Sequence, residues 1–225
     1  MNFIRKNTRA ISLIVVYFFT VLMQAGSLLL LAISLLFDNN LVESSFANLV
    51  TGLTITAIVG IVLFWKEIVA GFDYFKEETL WRIFSIFLWV GLIFLVDVII
   101  QKIMSNNLIA NQQDVLSFGA QVPLLVTLFF LAIVGPIAEE LVFRQVLMNC
   151  LSETIGIACA TMISIFLFTF MHTQQPLDFL IYLPGAILLS AAYLKSNRSL
   201  VFVMAIHIVN NMLGFLLRSE EHTSE

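Results

Sequence analysis

The chain has 225 residues, of which 60% are hydrophobic and 12% charged, with a mean hydropathy of +0.99 and a formal net charge of -4. Composition this apolar excludes an ordinary soluble domain, which needs more polar surface to cover its core. The absence of a basic patch argues against a nucleic-acid partner. Apolar runs of about twenty residues match the length needed to cross roughly 30 Å of hydrocarbon. An all-α polytopic transmembrane bundle is therefore expected, with the lipid bilayer as its first partner.

Seven apolar spans follow in chain order, at 10–37, 46–65, 82–101, 122–149, 154–173, 177–194 and 199–217. The first lies behind Arg5, Lys6 and Arg9 and is too long for a signal-peptide core, so it reads as a signal anchor. With the N-terminus placed in the cytoplasm, every Lys and Arg except Lys102 falls on the inner side, tail excluded, as the positive-inside rule requires. The acidic 38–45 loop, with Asp38 and Glu43, suits the outside. Trp65, Phe72, Tyr74, Phe75 and Trp81 flank the second inner connection and read as an interfacial aromatic belt. The charged residues of that connection, from Lys66 to Glu78, read as a solvated loop. Cys150 and Cys159 sit among apolar neighbours and read as small packing or lipid-facing residues. The last eight residues, Arg218 to Glu225, resemble the translation of a sequencing-adapter oligonucleotide and are set aside. The natural chain is then expected to continue past Leu217, with room for an eighth span. Three regions result: 1–119 with helices one to three, a core over 120–217, and the 218–225 tail.

Ionisable residues inside membrane spans are costly and usually functional. Here they are Asp97, Glu139, Glu140, Arg144, His172 and His207. Asp97 lies near the outer end of its span and suits a structural role. In the run Glu139-Glu140-Leu141-Val142-Phe143-Arg144, the two carboxylates point about 100° apart. Glu140 and Arg144 stand at i,i+4 with the acid first, the favoured order for an ion pair. Glu139 then needs a partner from another helix. Pro136, after Gly135, should kink or open this helix one turn earlier.

Phe168 and His172 share a helix face at i,i+4, so the ring can wall one side of the imidazole. His207 and Asn211 repeat that spacing on the last helix. Taken singly, each cluster also fits a membrane-exit charge group or polar glue between helices. Taken together, an unpaired Glu, two His and an Asn on three helices can activate water and stabilise an oxyanion if the bundle closes around a wet cavity. The same set is close to a metal-ligand set.

These patterns resemble the CPBP family of intramembrane proteases, named for CAAX proteases and bacteriocin-processing enzymes and also called Abi. Its EExxxR, FxxxH and HxxxN signatures correspond to Glu139-Glu140 with Arg144, Phe168 with His172, and His207 with Asn211. Asn197-Arg198-Ser199-Leu200 resembles the family's lead-in to the last helix. The resemblance covers about residues 120–215 and implies an endopeptidase acting on a hydrophobic peptide or membrane protein from the cytoplasmic side of a bacterial plasma membrane. It implies Glu139 as general base, His172 as its assistant, His207 and Asn211 as oxyanion donors, and Glu140, Arg144 and Phe168 as supports. No cofactor is expected; a zinc ion, if used, would fall to Glu139, His172 and His207, although a helix-spaced HExxH is absent. The competing readings are a non-catalytic bacteriocin-immunity or regulatory protein of the same fold, and a proton-relaying transporter. Depth is the obstacle. At about 1.5 Å per residue, Glu139 lies roughly 15 Å and His207 roughly 12 Å from the inner ends of their spans, against roughly 27 Å for His172. A shifted start of the fifth span is expected to remove the mismatch.

Overall fold

A computed structural model describes residues 7–37, 44–103 and 123–223. Arg5, Lys6, Asp38, Glu43 and residues 120–122 lie outside these, as do the side chains of the 218–225 tail. Among the described residues there is no strand. In hydrocarbon every backbone polar group has to be satisfied within the chain, which selects helices for such apolar runs. The helices are α1 (Thr8–Leu22), α2 (Gly26–Phe37), α3 (Ser45–Gly71), α4 (Thr79–Ile103), α5 (Leu125–Ile155), α6 (Ile157–Met171), α7 (Pro176–Lys195) and α8 (Leu200–Thr223).

Five of them (α3, α4, α5, α7 and α8) are long and apolar enough to cross a membrane, and the bent pair α1 and α2 makes a sixth if counted as one span. The protein is an integral membrane protein. Seven continuous spans were expected, and two of them do not form a single helix long enough to cross. The 10–37 run breaks into α1 and α2 with a 57° bend, where Met23 leaves helical geometry and Gln24 takes φ 51°. The expected 154–173 run shortens to α6, 15 residues long.

Close approach of backbones fixes α1 on α3. A Cβ on Gly52 would stand 2.5 Å from the Thr20 carbonyl oxygen, so only glycine allows the helices this near. Thr20 Oγ1 meets Gly52 O at 3.3 Å and Thr56 Oγ1 at 3.2 Å across the seam. At the other end of the bundle, Ser199 Oγ donates to Gly71 O at 2.7 Å and accepts from the Phe202 amide, tying α8 to α3. Arg198 reaches Asn149 Oδ1 at 3.0 Å from the α7–α8 turn, where Asn197 and Arg198 both have positive φ. The Lys66–Glu78 stretch is not the solvated loop expected: α3 carries Lys66 and Glu67 on to Gly71, and Phe72–Phe75 forms a 3-10 turn. Arg9 pairs with Glu67 at 2.8 Å and Lys76 with Asp73 at 2.6 Å. Arg82 lies over the Tyr74 ring. Tyr74 and Phe75 pack on Phe202 instead of facing the interface; Trp65, Phe72 and Trp81 remain exposed, as a belt requires.

Two features of α5 and α6 decide where the polar residues meet. The first is pitch: α5 is π-helical over Leu128–Val134 and Leu141–Cys150, with a short α segment, Gly135–Glu140, between them. Pro136 opens that segment, where its missing amide does least harm, and wide turns of this kind are frequent at functional sites. The second is the hairpin. Helix α5 runs on to Ile155, six residues past the expected end, and turns into α6 at Gly156, whose φ of 80° only glycine adopts easily. Glu139 lies 17 residues before Gly156 and His172 lies 16 after it, so the two arms bring them to equal depth. The expected shift is small at the start of α6 and large at the end of α5.

Candidate active site

His172 ends α6. Its Nδ1 donates to the Phe168 carbonyl at 2.7 Å; the carbonyl can only accept, so Nδ1 carries the hydrogen and one orphan carbonyl of the helix end is satisfied. The ring stacks on Phe168 at 4.5 Å between centroids and meets Tyr182 of α7 at 5.3 Å on another side. Below it, Asp178 fixes the turn into α7: its Oδ2 accepts from the Gln174 and Gln175 amides at 3.0 and 2.9 Å, and the side chain is buried. With both rings and turn held, Nε2 has one direction left, toward Glu139.

Glu139 stands between two imidazoles. Its Oε1 is 3.9 Å from His172 Nε2 and its Oε2 is 3.7 Å from His207 Nε2. His207 is aimed by Glu140, whose Oε1 lies 2.9 Å from Nδ1. Glu140 also faces Arg144, with Oε2 at 3.1 Å from Nε, and both side chains are fully buried. That N–H does not point along the short separation, so the pair is held by charge rather than by an aligned hydrogen bond. The guanidinium lies over the Phe168 ring at 4.9 Å, and Phe168 in turn packs on Phe143 at 5.1 Å. Arg144, Phe168 and His172 thus form one stack across α5 and α6, with Glu140 of α5 and His207 of α8 closing it.

The facing atoms are a carboxylate and two ring nitrogens, all acceptors unless protonated. A shared proton or a donating water has to occupy the space between them. A water about 2.8 Å from two atoms at these separations has an angle of roughly 85° at its oxygen, which a bridging molecule tolerates. Water can reach it: the Glu139 and His172 side chains are 15% and 21% exposed, against 0% for Glu140 and Arg144.

These residues open into a cavity of about 1040 Å³, large enough for a peptide segment by the usual scale of ligand pockets. Glu139, His172, His207, Asn210 and Asn211 are on its wall, and apolar residues of α3, α4, α5, α7 and α8 supply most of the remainder. Asn211 lies one turn beyond His207, with Nδ2 3.5 Å from the Leu131 carbonyl, and is the loosest member of the set. Asp97, expected to be structural, is on the same wall. Among the described residues no three His, Cys, Asp or Glu side chains form a ready metal site; a cation would have to draw in the two Nε2 atoms and Glu139. The sequence reading missed three participants. The Glu140–His207 contact joins residues 67 positions apart, Asp178 had been passed over inside its span, and Tyr17 of α1 reaches the cavity.

Residues 121–213 match the family described as type II CAAX prenyl endopeptidase Rce1-like. This part of the chain is similar to that family. The matched segment runs from α5 into α8 and contains the diacid, both histidines and Asn211. A relative, the UPF0177 protein YbdJ of Lactococcus lactis subsp. lactis (strain IL1403), is 27% identical over 107 residues, 46% of this chain and 46% of that protein. The chain thus matches about half the length of that curated relative. No solved structure matches. Helices α1 to α4 lie outside the Rce1-like segment, yet α1, α3 and α4 supply walls of its cavity.

Proposed function

We propose that the protein is an intramembrane endopeptidase that hydrolyses a peptide bond with a water activated by Glu139. The observation that carries this reading is the Glu139 carboxylate held between two imidazole Nε2 atoms, at 3.9 and 3.7 Å, on the wall of a cavity inside a membrane bundle. Glu139 takes a proton from water as the oxygen–carbon bond to the scissile carbonyl forms. The carbonyl π electrons move onto oxygen, and the resulting oxyanion is met by an Asn211 N–H and, with Nε2 protonated, by His207. On collapse the carbon–nitrogen bond breaks, and the proton passes to the leaving amine. His172 supplies a second base position beside the water, and Glu140 keeps His207 aimed. The reaction is proposed to run without a metal; were zinc used, Glu139, His172 and His207 would hold it.

The Rce1-like match makes a prenylated CAAX-type peptide the first probe, with a hydrophobic leader-like peptide beside it. Purified protein in lipid nanodiscs should cleave one of these fluorogenic peptides, and Glu139→Gln should lower the rate about 10²–10⁴-fold, the usual worth of a general base. The variant should melt like the parent, since Glu139 carries no tight ion pair. Incubation with a zinc chelator should leave the rate unchanged. Full activity in Glu139→Gln ends the assignment; loss with chelator, restored by zinc, replaces the metal-free route.

A further inference from the structure

Tyr17 is the last residue of the α-helical part of α1, just before its pitch widens over Phe18–Leu22. It is 8% exposed, and its ring meets Phe143 edge-on at 6.1 Å, which fixes the direction of the phenol. That direction is the cavity, whose wall Tyr17 shares with Glu139, His172 and His207. Among the described residues no hydrogen bond engages the phenol. Packing on Phe143 needs only the ring, and phenylalanine would supply it. The hydroxyl is not among the fully enclosed polar atoms, so it stands open to an occupant of the cavity, on the wall it shares with Glu139 and both imidazoles.

We propose that Tyr17 is a further catalytic residue, whose phenol O–H donates a hydrogen bond to the tetrahedral intermediate formed over Glu139. The inference rests on the endopeptidase reading but not on its family match, because Tyr17 lies outside residues 121–213. It gives α1 a task in the chemistry. A neutral phenol suits it: the group adds a donor without placing a further charge beside Glu139, and it acts where charge develops in the transition state.

The test uses the full chain in nanodiscs with whichever of the two fluorogenic peptides the parent cleaves. Tyr17→Phe should lower kcat about 10- to 100-fold, with KM within about twofold and an unchanged melting curve. Incorporating 3,5-difluorotyrosine at position 17, which keeps the ring nearly the same size and makes the phenol a stronger acid, should shift kcat measurably. Wild-type kcat in both proteins overturns the proposal. So does a rate loss in Tyr17→Phe matched by lost folded protein, when the fluorinated protein keeps the parent kcat. An inactive Glu139→Gln beside a fully active Tyr17→Phe removes this inference alone. No cleavage by the parent removes it together with the protease reading.

Discussion

A carboxylate that takes protons from water needs solvent beside it, whereas one that holds a neighbour in place needs a fixed positive group. In the proposed reaction Glu139 and Glu140 divide along this line although they are adjacent in the chain, and their exposures of 15% and 0% agree with it. Glu140 is enclosed with Arg144 and His207, and removing one member of a buried pair leaves the other charge uncompensated. Glu140→Gln should therefore destabilise the protein by about 3–5 kcal/mol, seen as a much lower melting temperature in detergent, while Glu139→Gln melts normally. Equal melting of the two variants would contradict this division. Part of it was legible beforehand. The i,i+4 spacing announced the Glu140–Arg144 pair and the Phe168–His172 stack, because helical geometry alone brings such residues together. The Glu140–His207 contact was hidden, since no local period links helices that far apart. Tyr17 was hidden for a different reason: one tyrosine in an apolar span has the same pattern as a packing residue.

Among the helices, α5 and α1 depart most from regular form, and both do so beside the site. Wide turns on either side of Gly135–Glu140 change which residues face the cavity, an effect that a 3.6-residue period cannot reveal. Pro136 gave warning of irregularity at this place without giving its kind. The break in α1–α2 was marked in the sequence only by Gln24, a single polar residue between Met23 and Ala25, which does not by itself announce a bend. Its physical counterpart is the contact at Gly52. Gly52→Ala would push a methyl group into the Thr20 carbonyl, with no flexible side chain to yield, and overpacking of this kind costs about 1–3 kcal/mol. Gly91→Ala on α4, where nothing lies within 4 Å, is the control. A thermal scan should show a lower midpoint for the first and no loss for the second; equal curves would mean that α1 does not rest on α3 as described.

For the molecule as a whole, hydropathy located nearly every helix and left their relative depth unresolved. Depth depends on where chains turn, and Gly156 sets that level for α5 and α6 together. One consequence follows from the brevity of α6. Fifteen residues reach about 22 Å, short of a hydrocarbon layer of roughly 30 Å, so the Asp178-braced turn after His172 cannot attain the far headgroups. Acyl chains around that corner have to shorten or tilt, at a cost of fractions of a kcal/mol per Å of mismatch. Turnover should accordingly be faster in vesicles of 14-carbon phosphatidylcholine than of 22-carbon lipid, with Glu139→Gln inactive in both. Identical rates across the series would show that α6 is matched by its protein neighbours alone. If the trend holds, bilayer thickness itself becomes a control on this protein, acting at a corner of the bundle that the membrane must bend to meet.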